Sequence, residues 1–201
     1  MIIVQLEQGS DAWKKEKLGK PSASNASKII TSTGKVSTQR EGYLHTLVAE
    51  RLTGVSADSF KSDAMQEGND REAESRALYE MVKDVKVEEV GVVYKDENKG
   101  FLCSPDGIIN RQYGLELKNV LPKTQVKYLL KGTLPVEYLV QIQFSLYVTG
   151  YQYWDFCSYS PALQLLCIRV KRDEAFIVQL ARALDLFVAE LNLTVDKLKN
   201  K

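Results

Sequence analysis

Residues 101–119 read FLCSPDGIINRQYGLELKN, and this stretch predicts two short strands joined as a hairpin. In the second strand, residues 115–118 (LELK), the alternation of apolar and charged residues has a period of two. It places the two leucines on one face of the strand and Glu116 and Lys118 on the other. A hairpin would bring Asp106 of the first strand beside this charged face.

Two carboxylates and one ammonium group on the same face suit a hydrolytic site that uses a divalent metal. Carboxylate oxygens are hard ligands of the kind that hold Mg²⁺, and a lysine beside the metal helps to lower the pKa of an attacking water. An exposed hairpin face also carries Glu and Lys as an ordinary solvated pair. The spacing alone leaves both interpretations open.

Length and composition predict one domain over residues 1–201 with a core of its own. The formal charge of +1 gives no overall basic signal, so any nucleic-acid surface would be local. Three cysteines without metal-ligand spacing predict reduced thiols in the cytoplasm. The single histidine, His45, argues against zinc hydrolases and histidine-based triads. Neither an export leader nor an apolar run of membrane-spanning length is evident.

The order of periodic segments predicts an α+β fold in which one mixed sheet is flanked by helices. We expect a helical N-terminal part over about residues 1–84, a sheet core over 85–170 and a C-terminal helix over 171–199. The helix predicted at residues 69–83 is expected to bury the apolar residues Ala73, Ala77, Leu78, Met81 and Val82.

A helix that begins at Pro122 carries Lys123, Lys127 and Lys131 at intervals of four residues. These three lysines form a basic stripe. The stripe fits either a solvated helix face or a surface that follows nucleic-acid phosphates.

Several ordered segments resemble the phage lambda exonuclease family, the viral-recombinase branch of the PD-(D/E)xK nucleases. The segments are DAWKKEKLG, PSAS, YLHTLVAE, GNDREAESRALYE, YKDENKGFLCSPDG, GLELK and VQIQFSLYVTG. Several matches in the right order are far more specific than one short motif. The resemblance implies a restriction-endonuclease-like core.

The resemblance also implies roles for the charged hairpin. Asp106 and Glu116 match metal-binding carboxylates, and Leu117 matches the residue whose carbonyl oxygen completes the metal shell. Lys118 matches the lysine that positions or activates the attacking water. Glu72 matches a helix glutamate that supports the site.

Four further residues receive roles from the same resemblance. Gln143 matches a motif glutamine beside the site. Asp96 and Tyr147 are expected to support the site from its surroundings. Met65 falls where the family places an apolar wedge that helps to separate the duplex end.

Lys17, Ser24 and Ser104 match a pocket for the terminal 5′-phosphate of DNA. The family has an arginine where this chain has Lys17. Lysine holds a phosphate as a point charge and lacks the bidentate fork of arginine, so we expect either weaker dependence on the 5′-phosphate or a contribution from Lys14 or Lys15.

The function implied is a Mg²⁺-dependent 5′→3′ exonuclease that acts on double-stranded DNA ends, with one or two ions and with Mn²⁺ able to substitute. It would release mononucleotides and leave a 3′ single-stranded tail. The resemblance further implies a ring-shaped homotrimer and a single-strand annealing protein as partner, in the cytoplasm of a bacterium or a phage-infected host. Two alternatives remain open: a structure-specific or site-specific endonuclease on the same fold, and a non-catalytic DNA-binding assembly subunit.

Overall fold

The computed structural model describes residues 1–57 and 71–200. The α-helices in these residues are α1 (Asp11–Lys17), α2 (Arg40–Thr53), α3 (Glu72–Lys83), α4 (Pro122–Lys131), α5 (Leu139–Thr149) and α6 (Glu174–Lys199). Two 3₁₀ helices span Ala23–Lys28 and Val136–Tyr138. The strands are β1 (Ile2–Val4), β2 (Val87–Glu88), β3 (Val92–Tyr94), β4 (Leu102–Cys103), β5 (Gly107–Ile109), β6 (Tyr113–Asn119), β7 (Tyr153–Tyr159) and β8 (Leu166–Lys171).

A five-stranded mixed sheet forms the centre of the fold, in the order β2-β5-β6-β7-β8. Strands β6 and β7 run parallel and the other neighbours run antiparallel. Helices α4 and α5 supply the crossover that a parallel pair requires. The predicted α+β class, a mixed sheet flanked by helices, is therefore confirmed.

A second, three-stranded sheet has the order β1-β3-β4, so the expectation of a single sheet was too simple. Strands β5 and β6 form the predicted hairpin, with Gly107 opposite Leu115. Strand β4 pairs instead with β3, because residues 104–106 carry the chain from one sheet to the other.

The helix boundaries follow local signals in the sequence. The Ser10 side chain caps α1 by accepting a hydrogen bond from the Trp13 amide. Pro122 occupies the first turn of α4, where its missing N–H is no loss. Gly132 ends the same helix with a left-handed φ of 61°, which glycine adopts without steric cost.

The two faces of the five-stranded sheet bury different clusters. On one face, Trp154 and Phe156 pack with the apolar sides of α2, α5 and α6. On the other face, Leu115, Leu117 and Cys157 pack with Tyr79 of α3. The alternation in β6 therefore places Glu116 on the opposite side from the two leucines, as the sequence pattern predicts.

Helix α6 packs along the core through an apolar stripe. The stripe includes Phe176, Leu180, Leu184, Phe187 and Leu191, all of which are buried. Among residues 1–57 and 71–200, no helix combines the length and the apolar character that crossing a bilayer requires.

The buried face predicted for α3 is wrong. Met81 is 73% exposed and Val82 is 57% exposed, whereas Ser75 and Tyr79 are buried. Hydrogen bonds decide the orientation of the helix, since the Tyr79 hydroxyl donates to Asp155 Oδ2 of β7 over 2.7 Å. The rotation leaves the apolar side of α3 facing outwards.

Candidate active site

A cleft of about 420 Å³ opens where the β5–β6 hairpin meets α1, the first 3₁₀ helix and α5. The residues that line it are Gln8, Trp13, Lys17, Ser22, Ala23, Ser24, Glu72, Leu102, Ser104, Asp106, Glu116, Leu117, Lys118, Asn119, Gln141 and Ser145. Eight residues predicted for the metal site or the phosphate pocket are in this list. They come from five separate parts of the chain.

Asp106 precedes β5 and is fixed against β6 by two hydrogen bonds. Its amide donates to the Leu115 carbonyl over 3.1 Å. Its Oδ2 accepts a hydrogen bond of 2.6 Å from the Leu117 amide. The hairpin register thus holds the carboxylate beside the stretch that carries Glu116 and Lys118.

Glu116 is 2% exposed and receives two side-chain donors on one oxygen. The Lys118 ammonium forms an ion pair with Glu116 Oε1. The Gln141 side-chain amide donates to the same oxygen over 2.5 Å. These contacts join β6 to α5 at the base of the cleft.

Burial and neighbouring carboxylates together determine the electrostatics of the cleft. Burial raises the pKa of the Asp106 carboxyl well above its ordinary value, and the neighbouring Glu116 raises it further. Burial acts against the charged form of Lys118, but Glu116 and Asp106 outweigh this effect and raise the pKa of the ammonium group. Lys118 therefore stays protonated at neutral pH and acts as a cation and a hydrogen-bond donor.

Glu72 reaches the cleft from the first turn of α3. Its Oε1 accepts a hydrogen bond of 2.6 Å from Arg76 one turn later. Arg76 also contacts Glu89 over 2.9 Å. Burial raises the pKa of Glu72, and Arg76 offsets only part of that rise.

The other end of the cleft carries the predicted phosphate-binding residues. The Lys17 ammonium lies 3.6 Å from the centroid of the Trp13 ring. The Trp13 indole N–H donates to Ser104 Oγ over 2.9 Å, and the Ser104 hydroxyl donates to the Gly91 carbonyl. Ser24 is exposed at the start of the 3₁₀ helix Ala23–Lys28. One lysine and two hydroxyls thus face the same cavity as the carboxylates.

The structure corrects the prediction for Gln143, which lies away from the cleft. Its side-chain amide donates to the Lys171 carbonyl over 2.9 Å, and its side-chain oxygen accepts from the Asp173 amide over 3.0 Å. Gln143 therefore stabilises the backbone that leads into α6. Gln141, two residues earlier, is the glutamine that contacts Glu116.

Tyr147 and Asp96 also lie outside the cleft lining. The Tyr147 hydroxyl accepts a hydrogen bond of 2.8 Å from Lys95, and the tyrosine ring stacks on Phe101. Asp96 is exposed and caps its own turn by accepting from the Asn98 amide over 3.0 Å. Both residues therefore have local structural partners and do not contact the cleft directly.

Two further sequence predictions concern nucleic-acid contacts. Lys123, Lys127 and Lys131 are exposed on α4, which turns Gln125 and Tyr128 inwards, and they do not line the cleft. Met65 lies outside the described residues.

The donor set of the cleft fits a hard divalent cation. Asp106 and Glu116 offer carboxylate oxygens, which such ions prefer. A positive charge between them would relieve the repulsion that raises the pKa of Asp106. In the described ranges, no group of three or more His, Cys, Asp or Glu side chains is arranged to hold a metal ion. A cation here would therefore depend on the two carboxylates, a backbone oxygen and water.

Residues 12–152 match the model of the YqaJ-like viral recombinase domain, which covers more than half of the chain. The chain belongs to this family. The resemblance found in the sequence is thereby confirmed. No curated protein matches the chain.

Solved structures extend the likeness of this family member to nearly its whole length. The alkaline exonuclease LHK-Exo from Laribacter hongkongensis is 31% identical, with a TM-score of 0.86 over 95% of this chain and 97% of that one. The same enzyme in complex with dAMP gives 31% identity and a TM-score of 0.85 over the same shares. A phage-related exonuclease from Haemophilus somnus 129PT is 13% identical and shares the fold, with a TM-score of 0.66 over 89% of this chain and 96% of that one.

The side chains that sequence reasoning missed in the cleft of this YqaJ-like domain include Gln8, Trp13 and Gln141. Gln8 donates to the Val90 and Pro105 carbonyls, and so supports the turn that precedes Asp106. Trp13 lies in the segment DAWKKEKLG, which contributes to the family resemblance, but the sequence indicated no role for it. No sequence pattern marks a side chain that donates to two backbone carbonyls, as Gln8 does. Trp13 could have been found, because it lies one helix turn before Lys17.

Proposed function

We propose that the protein is a Mg²⁺-dependent exodeoxyribonuclease that digests the 5′ strand of duplex DNA ends to mononucleotides. One observation carries the proposal: Asp106, Glu116 and Lys118 share a cleft with the Lys17 and Ser104 side chains. A hydrolytic centre and an anion-binding end in one cavity suit a terminal nucleotide whose two phosphates lie at the two ends. Family membership and the likeness to LHK-Exo support the same proposal, that the protein is an exonuclease.

In this mechanism the cation would supply positive charge against the scissile phosphate and the attacking water. Asp106, Glu116 and the Leu117 carbonyl would hold it, since both described donors to Glu116 end on Oε1 and leave Oε2 for this purpose. Mg²⁺ is the expected ion, bound singly or as a pair, and Mn²⁺ would substitute because it prefers similar oxygen ligands.

The chain's own residues would position the reactants. Lys118 would donate a hydrogen bond to the attacking water or the phosphate, and its charge would favour the developing negative charge. The water oxygen forms a bond to phosphorus as the bond to the 3′ oxygen breaks. The water loses a proton to solvent and the 3′ oxygen takes one up. Glu72, held by Arg76, would support the site from α3.

Lys17, Ser24 and Ser104 would hold the 5′-phosphate of the strand being digested. Lys17 contributes a point charge and the serines contribute hydroxyl donors. Lys123, Lys127 and Lys131 would follow the phosphates of the duplex outside the cleft. Met65 would act as the wedge at the duplex end. The product would be a 3′ single-stranded tail for a single-strand annealing partner.

The proposed assembly is a homotrimeric ring built from a single nuclease domain over residues 1–201, acting in the cytoplasm. Exposed apolar side chains on α3 and α4 support burial against other copies: Met81 is 73% exposed and Leu130 is 85% exposed. Light scattering during size-exclusion chromatography tests the trimer, and a monomer at micromolar concentration would overturn it.

The activity test uses a linear duplex with one labelled, 5′-phosphorylated end, in Mg²⁺ and in EDTA. Wild type and Lys118→Ala are compared, and a closed circular duplex is the control. We expect shortening of the 5′ strand alone, only in Mg²⁺, and slower by about 100-fold or more in the variant. Cutting of the circle would favour an endonuclease. Binding of DNA without any cleavage would favour an assembly subunit.

A further inference from the structure

The Lys118 ammonium lies between a carboxylate and an aromatic ring. Glu116 Oε1 accepts its hydrogen bond, and the centroid of the Tyr138 ring lies 5.5 Å from Lys118 Nζ. The negative face of a tyrosine ring attracts an ammonium group within about 6 Å.

The ring of Tyr138 is held in place by the strand that neighbours the site. It packs against Phe156, with 5.0 Å between the ring centroids. Phe156 is fully buried and pairs directly with Glu116 in the β6–β7 register. Tyr138 also directly precedes α5, one turn before Gln141. The ring is therefore fixed by the same two elements that fix Glu116.

Lysine has a flexible four-carbon stem, so its ammonium needs more than one contact to keep a single position. Glu116 provides one such contact through Oε1. A cation on Glu116 Oε2 would share the negative charge of the carboxylate and so weaken the attraction of Oε1 for Lys118, whereas the contact with the Tyr138 ring does not depend on Glu116.

We propose that Tyr138 is a positioning residue that holds the Lys118 ammonium in the cleft while Glu116 is engaged by a cation. The inference rests on the proposed nuclease function. It predicts that the aromatic ring matters and that the tyrosine hydroxyl does not.

The chain offers a matched control in Tyr147. Both tyrosines are half-buried, and Tyr147 has a lysine near its ring too, with Lys95 Nζ 4.4 Å from the centroid. The Tyr147–Lys95 pair lies outside the cleft lining. Removing either ring therefore costs a similar contact and a similar amount of packing, but only Tyr138 is next to the catalytic lysine.

Steady-state kinetics on a 5′-phosphorylated duplex at saturating Mg²⁺ provide the first readout. We expect Tyr138→Leu to lower kcat about threefold to thirtyfold with little change in KM. Tyr138→Phe should restore kcat to within about twofold of wild type, since the ring is kept. Tyr147→Leu should leave kcat unchanged. An equal loss in the Phe and Leu variants, or an equal loss in Tyr147→Leu, would overturn the inference.

Carbon-13 labelling of lysine provides a second readout that needs neither metal nor catalysis. The Lys118 side-chain protons should be shifted upfield by the Tyr138 ring current, and Lys118→Ala identifies the signal. Tyr138→Phe should keep the shift and Tyr138→Leu should abolish it. A signal that is the same in wild type and Tyr138→Leu would overturn the contact. An inactive wild type that shows the shift would overturn the proposed function instead.

Discussion

The Gln141 side-chain amide donates a 2.5 Å hydrogen bond to Glu116 Oε1, which ties α5 to the charged face of β6. This bond leaves the carboxylate oriented for a ligand, whereas Gln143 on the same helix bonds two backbone groups near α6. Gln141 therefore has a role in the site, whereas Gln143 has a role in stability.

Gln141→Ala should lower kcat about tenfold with little effect on the melting temperature, because Gln141 lines the cleft and its loss leaves Glu116 poorly oriented. Gln143→Ala should lower the free energy of unfolding by about 2 kcal/mol, since the Lys171 carbonyl and the Asp173 amide lose their partner and the buried Gln143 side chain leaves a gap. Exonuclease assays and urea unfolding measure both effects. A larger loss of activity in Gln143→Ala than in Gln141→Ala would contradict the assignment.

Asp106→Asn should stabilise the metal-free protein. Burial and the neighbouring Glu116 disfavour the charged form of Asp106, so the neutral amide relieves repulsion. We expect a rise in Tm of about 3 °C in EDTA. Adding Mg²⁺ should raise the Tm of wild type and leave that of Asp106→Asn unchanged. Differential scanning fluorimetry tests this, and an equal Mg²⁺ effect in both proteins would argue against the proposed metal ligands.

Lys17→Arg should increase the preference for 5′-phosphorylated ends. Arginine can bind a phosphate through two parallel hydrogen bonds, and its planar group can replace the cation–π contact that the Lys17 ammonium makes with the Trp13 ring. The ratio of kcat/KM on 5′-phosphate and 5′-hydroxyl ends should rise about tenfold. Lys14→Arg, on the same helix and outside the cleft lining, is the control and should leave the ratio unchanged.

The hairpin could be predicted from sequence because its signals are local. Leu115 and Leu117 alternate with Glu116 and Lys118. When apolar packing buries one face of such a strand, the leucines must occupy that face and the charged residues the other. The orientation of α5 could not be predicted in this way. Its even-numbered residues from Val140 to Val148 are largely apolar and buried, so hydrophobic periodicity does not indicate which glutamine faces the cleft.

The orientation of α3 illustrates a different limit. Its apolar residues predicted a buried face that the structure leaves exposed at Met81. Tertiary hydrogen bonds fix the helix instead, from Tyr79 to Asp155 and from Tyr159 to Glu74. These partners are 76 and 85 residues apart in sequence, and no local pattern reports such pairs.

Stability should depend on pH through Glu16 on α1. A hydrogen bond from the Tyr94 hydroxyl lowers the pKa of Glu16. Burial raises this pKa, and the charge of Lys20 lowers it further. A carboxyl with a lowered folded-state pKa contributes stability above its unfolded pKa, about 4.3, and loses it as the pH falls through the folded value.

Glu16→Gln should therefore cost about 1 kcal/mol at pH 7 and progressively less as the pH falls below 4. Urea unfolding at pH 7, 5 and 3.5 measures the difference. Asp11→Asn is the control, because its solvent-exposed pair with Lys14 should contribute almost nothing at any pH. A cost for Glu16→Gln that grows towards low pH would contradict the sign of the effect.

Asp155 and Arg169 should be strongly coupled. Asp155 is 2% exposed and accepts bonds of 2.7 and 2.9 Å from the Arg169 guanidinium. Arg169→Ala should cost about 3 kcal/mol of unfolding free energy, because it leaves a buried carboxylate with Tyr79 as its remaining described donor. The double variant with Asp155→Ala should cost less than the sum of the single variants.

Lys86→Ala, which removes an exposed pair with Glu80 at 3.8 Å, should have little effect. Additive costs in the double-mutant cycle would show that the pair is not coupled.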